Sequence, residues 1–94
     1  MKDSYTIILS LTINLFVKTM DLKEFIENFA AEFDETPMEL FKPETKFKDL
    51  DEWNSLTALS IIAMVDDNYS KTITGADLRA QATIEELFNY IAAK

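Results

Sequence analysis

The chain contains no cysteine and no histidine. It therefore lacks a thiolate nucleophile, the side chain best suited to general-base work near neutral pH, and the two best zinc ligands. Intrinsic catalysis is not expected, and the protein reads as a non-enzyme. Without cysteine there is also no disulfide framework, which fits a reducing, cytoplasmic setting. Glycine occurs once, at Gly75, whereas phosphate-cradling loops of the Walker and dinucleotide kinds need several. Basic residues are scarce, with 9 Lys and Arg against 17 Asp and Glu and a net charge of −8. Nucleic acid is held by clustered cations, so it is excluded as an expected partner. Basic protein surfaces are the natural complement.

What is present fits one small domain of 94 residues with a modest core. Its first segment differs from the rest. Between Tyr5 and Val17, apolar residues fall on every odd position from Ile7 onward, a strand-like period of two. The run is too short to span a bilayer as a helix, and no small-residue cleavage site follows Val17-Lys18-Thr19-Met20. A lone strand would be an aggregation-prone edge. The folded domain is accordingly expected to begin at Met20, with residues 1–19 an upstream extension, either disordered or the product of a misplaced start.

From Asp21 the period becomes helical. Leu22, Phe25, Ile26, Phe29 and Phe33 recur at three- and four-residue steps, which predicts a first helix with one apolar face. Asp21 with Glu24 forms an N-terminal capping pattern. Residues 34–53 hold Pro37 and Pro43 and no sustained period, so a long loop is expected, with one turn near Met38-Glu39-Leu40-Phe41. A loop this long in a compact domain is usually functional or disordered. Phe41, Phe47, Leu50 and Trp53 are apolar enough to pin it to the core.

A second helix is predicted from Ser55 or Leu56 to about Tyr69. Ile61, Ile62, Val65 and Tyr69 fit one face, while Leu56, Leu59, Ala63 and Met64 extend the apolar surface sideways. Such a helix is either deeply buried or keeps part of itself for a partner. Thr74 with Asp77 predicts a short third helix. Thr83 with Glu86 reads as a full capping box before a last helix carrying Ile84, Leu87, Phe88 and Ile91. The expected fold is all-α: a small bundle of three main helices plus one short helix, with the long loop between the first and second helices.

Trp53-Asn54-Ser55-Leu56, where the loop meets the second helix, holds the candidate functional residue. Ser55 admits two readings. Its hydroxyl can cap an orphan N–H of the first turn, although Ala58, three positions on, is no reciprocal partner. It also lies at an accessible helix start, where the positive dipole end tolerates an attached phosphate. The local residues leave both open. A calcium loop starting at Asp49 is rejected, because its sixth position is Asn54 rather than Gly and its twelfth is Ser60 rather than Glu.

The order helix, long loop, Asn54-Ser55-Leu56, apolar helix, short helix and final helix resembles the acyl carrier protein family from about Met20 to the C-terminus. Phe47-Lys48-Asp49-Leu50, Ile73 and the stretch from Thr83 to Ile91 contribute to the likeness. What the resemblance implies is specific. Ser55 matches the serine that carries 4′-phosphopantetheine, attached from coenzyme A by a phosphopantetheinyl transferase, and acyl groups would ride on the arm as thioesters. Partners would be that transferase and acyl-loading and acyl-processing enzymes with basic docking surfaces. Glu52, Asn54, Leu56, Leu59, Ala63, Asp66 and Asp67 are the candidate partner-binding residues, on a carrier that is monomeric and spans no membrane. The chain departs from the family pattern in Asn54, where Asp is usual, in Thr57 and Ser60, where acids are common, and in Trp53. These departures favour a specialised carrier for a dedicated biosynthetic pathway over a housekeeping fatty-acid carrier. The alternative is a helical protein-interaction module with the same fold and no prosthetic group.

Overall fold

A computed structural model describes residues 21–94, and the expectations for residues 1–19 lie outside them. Four helices form the described part: α1 (Leu22–Ala30), α2 (Ser55–Tyr69), α3 (Gly75–Ala80) and α4 (Ile84–Ala92). The described residues contain no strand. Three helices are substantial and α3 is short, so the fold is the small all-α bundle that the periodicity predicts. Helix α1 packs on α4 and α2, and α2 packs on α3.

Helix α1 ends earlier than its apolar period. Phe33 lies beyond the last helical turn and is still buried at 8% exposure. Two backbone bonds, Glu32 N–H to Phe29 O (3.1 Å) and Phe33 N–H to Ala30 O (3.0 Å), tighten the chain here and swing Phe33 inward. Phe29 is the hub. Its ring centroid lies 5.5 Å from Phe33, 5.6 Å from Phe47 and 6.2 Å from both Phe25 and Phe41, distances typical of attractive tilted and edge-on aromatic pairs.

That cluster orders the long loop. Phe41 and Phe47 are buried in it, while Leu50 and Trp53 pack on its edge. Single 3-10 turns form at Met38–Leu40, as expected, and also at Phe47–Asp49, where the sequence carries no punctuating residue. A second anchor comes from α4, whose early N–H groups have no intrahelical acceptor. Ile84 N–H donates to Thr45 O (3.1 Å) and Glu85 N–H to Pro43 O (3.0 Å), so the loop satisfies the helix as the helix fixes the loop.

The helix starts differ in completeness. Thr74 and Asp77 form the reciprocal box: Asp77 N–H donates to Thr74 Oγ1 (3.1 Å) and Thr74 N–H to Asp77 Oδ2 (2.9 Å). Asp77 Oδ1 also accepts from the Tyr90 hydroxyl at 2.7 Å, tying α3 to α4. At α4 the expected box is only half made. Thr83 Oγ1 accepts from Glu86 N–H, but the Glu86 carboxylate takes the Ala82 N–H instead of that of Thr83. Asp21 likewise caps from one side, accepting from Lys23 N–H without a return bond from Glu24. Thr74→Ala should therefore lower stability by about 0.5–2 kcal/mol, read as a shift in the thermal midpoint. An unchanged midpoint would show that α3 is held by the burial of Leu78 and the Tyr90–Asp77 bond without help from the box.

Candidate functional site

The residue that caps α2 is Asn54, not Ser55. Asn54 is extended (φ −157°), and its Oδ1 accepts from Thr57 N–H at 3.0 Å. Asparagine is among the best capping residues because its short side chain reaches the third amide of the helix. Ser55 is thereby the first helical residue. It is exposed, and among the described residues its hydroxyl has no hydrogen-bond partner. The capping explanation of Ser55 is overturned: an equally good cap one position earlier has taken the amide.

Trp53 fixes the approach to this helix start. Its ring lies edge-on to Phe47 at 5.0 Å and stacked on Phe33 at 6.4 Å, so these two core rings set where Asn54 and Ser55 emerge. Thr57 adds a second tie, donating its hydroxyl to Glu52 O at 2.7 Å.

Glu52 has a further task inside the fold. Its carboxylate accepts the backbone N–H groups of Asp34 (3.1 Å), Glu35 (2.9 Å) and Thr36, together with the Thr36 hydroxyl. One acidic side chain thus staples the turn after α1 to the start of α2. The Thr36 hydroxyl, more than any single one of the three amides, holds the Glu52 carboxyl below the ordinary glutamate pKa against the opposing effect of burial. A carboxyl with a depressed folded-state pKa contributes stability above its unfolded pKa and loses it as pH falls through the folded value. Glu52→Gln is expected to lower the thermal midpoint at pH 7 and to flatten the acid limb of stability. A mutant with the wild-type acid slope would exclude the staple.

Two depressions and a ridge surround the start of α2. On the α3 side lies an open groove of about 290 Å³, lined by Lys48, Trp53, Ser55, Ala58, Leu78 and Arg79 among others. On the opposite side a depression of about 250 Å³ is bordered by Glu32, Asp34, Glu52, Leu56 and Ser60. Between them runs an exposed ridge, with Leu56 at 75% and Leu59 at 60% exposure. Ala63, Asp66 and Asp67 continue this ridge and are exposed, with the acids roughly 17–18 Å along the axis from Ser55 at about 1.5 Å per residue. Met64 leaves the expected side surface for the core, at 4% exposure beside Ile61 and Val65.

Lys48 and Arg79 were not candidates from the sequence. They lie 7 residues before and 24 after Ser55, and no local spacing links them; the one available signal was that Arg79 is the only arginine. Among the described residues no helix is long and apolar enough to cross a membrane, and no group of three or more Asp or Glu is arranged to hold a metal ion. Comparison with protein-family models, with curated proteins and with solved structures finds no match. What Ser55 can do is therefore judged from its own surroundings.

Proposed function

We propose that this protein is a non-catalytic carrier of the acyl carrier protein type, holding acyl or related intermediates as thioesters on a 4′-phosphopantetheine arm at Ser55. The observation that carries this reading is the Ser55 hydroxyl: exposed, unbonded among the described residues, and relieved of capping by Asn54. A chain without cysteine obtains thiol chemistry only from an attached group. In loading, a P–O bond forms to Ser55 Oγ and a pyrophosphate P–O bond of coenzyme A breaks. The nucleotide part leaves, and the hydroxyl proton passes to the transferase or to solvent. A phosphodiester at this position meets the amide end of α2, where negative charge is stabilised.

The partners proposed are a phosphopantetheinyl transferase and acyl-handling enzymes with basic docking surfaces. Leu56, Leu59 and Ala63 supply the apolar contact, while Asp66 and Asp67 supply steering charge at the far end of the ridge. Asn54 serves the cap. Glu52 anchors the loop that leads into α2, with its carboxylate committed to the turn after α1. A monomer working in the cytoplasm on a specialised biosynthetic pathway completes the proposal.

A second reading is favoured by one observation, the large exposure of Leu56 and Leu59: a helical interaction module without a prosthetic group. Incubation with coenzyme A and a broad-specificity phosphopantetheinyl transferase separates the two. The carrier gains the mass of one phosphopantetheine in the intact-mass spectrum. A wild-type protein that gains none is the interaction module.

A further inference from the structure

The groove on the α3 side of Ser55 concentrates positive charge in an acidic molecule. Arg79, the only arginine of the chain, and Lys48 both line it. Neither side chain is joined by a hydrogen bond to a carboxylate among the described residues. Lys48 Nζ donates to Arg79 O at 2.6 Å, which fixes the ammonium at the C-terminal end of α3 and leaves two of its three N–H donors free.

Gly75 bears on the position of Arg79. It is the only glycine in the chain, yet its φ is not positive, so its backbone does not require glycine. A Cβ built there would lie 3.3 Å from Arg79 Nη1, closer than ordinary carbon–nitrogen contact. The guanidinium lies back across Gly75, in the wall of the same groove as Ser55. Guanidinium groups bind phosphate oxygens through paired, parallel N–H bonds, and an ammonium adds a point charge.

Resting on the loading of Ser55, we propose that Lys48 and Arg79, which line one groove with that serine, clamp the phosphodiester of the attached group. The phosphodiester is the one anion whose place is set by its bond to Ser55, and the two cations stand in the wall beside that serine. On the other flank Glu32, Asp34 and Glu52 repel it. The arrangement separates two tasks on one helix start, with the phosphate held on the α3 side and the docking surface beside it.

The test uses natural reporters, since Trp53 is the only tryptophan and Arg79 the only arginine. The wild type is loaded by a transferase from coenzyme A, and 15N spectra are compared before and after. The expected result is a shift of the Trp53 indole N–H and the Arg79 Nε–H signals on loading, while the amides of Leu59 and Ala63 stay in place. The doubly substituted Lys48→Gln, Arg79→Gln protein should load to the same final mass and lose the Trp53 shift. Raising the salt concentration should weaken the wild-type shift as screening grows. If loading succeeds and the Leu59 and Ala63 amides move while Trp53 and Arg79 do not, the arm leaves over the ridge and the clamp is wrong. A double variant that fails to load although its circular dichroism and melting match the wild type assigns the cations to the transferase encounter, and this too overturns the clamp. A wild type that does not load at all removes the carrier reading itself.

Discussion

Ser55→Ala is expected to melt with the wild type and to take up no phosphopantetheine at all. Under the proposed carrier role the loss of loading is complete, because the hydroxyl oxygen would be the atom bonded to phosphorus. The unchanged stability follows from the side chain's surroundings: it is exposed, makes no hydrogen bond among the described residues, and occupies a first helical position where alanine is well tolerated. Asn54→Ala should behave oppositely in the melt. It removes the Thr57 N–H acceptor and costs about 0.5–2 kcal/mol, a drop of several degrees in a domain this small. Asn54→Asp keeps an equally good cap and adds a negative charge beside Ser55, so it should hold the melting temperature and, under the proposed carrier role, load faster. Thermal melts and intact-mass time courses on the three variants read both properties. Equal destabilisation by Ser55→Ala would return the hydroxyl to a structural role, and a mass gain in that variant would move loading to another residue.

Phe29→Ala should cost about 3–5 kcal/mol, the usual range for emptying a buried phenylalanine site. At about 0.05–0.15 kcal/mol per residue, residues 21–94 hold roughly 4–11 kcal/mol in total, so the variant stands near the edge of folding. The reason is connectivity as much as volume. Phe29 touches rings from its own helix, from the turn after it and from both halves of the loop, and these do not collapse together into the vacated space. Urea unfolding followed by Trp53 fluorescence is the suitable measurement, because Trp53 packs on Phe33 and Phe47. The midpoint should fall steeply. A cost below about 1 kcal/mol would mean that the cluster repacks freely and that the loop is pinned chiefly by Glu52 and the α4 amides.

The two results are linked through the loop. Trp53, Asn54 and Ser55 have defined positions only because Phe47 and Phe33 hold the indole and Glu52 closes the chain behind it. A partly emptied core should therefore disorder the approach to Ser55 before it unwinds α2. The ridge itself needs no such support. Leu56 and Leu59 follow directly from the helical repeat once Asn54 has started it.

Much of the fold was legible because its signals are local. The step of three and four in Leu22, Phe25, Ile26 and Phe29, and again in Ile84, Leu87 and Ile91, comes from helical geometry and needs no knowledge of neighbours. Thr74 with Asp77 worked for the same reason, since both halves of the box lie within one turn. The departures at the helix starts occurred where two groups competed for one capping bond. Asn54 and Ser55 are both good caps, and a one-residue difference in where the helix starts decides between them. Glu86 had two N–H groups within reach and took the one at Ala82.

The sequence by itself determined the helical order, the absence of cysteine and histidine, the acidic balance and the presence of a serine at the start of an apolar helix. These are properties of residue type and short spacing. Tertiary structure decided what that serine is free to do. It brought Asn54 into the capping position, committed the Glu52 carboxylate to the turn after α1, and drew Lys48 and Arg79 from distant parts of the chain to one wall beside Ser55. Contacts across long separations depend on how the helices pack around Phe29, and no periodicity along the chain encodes them.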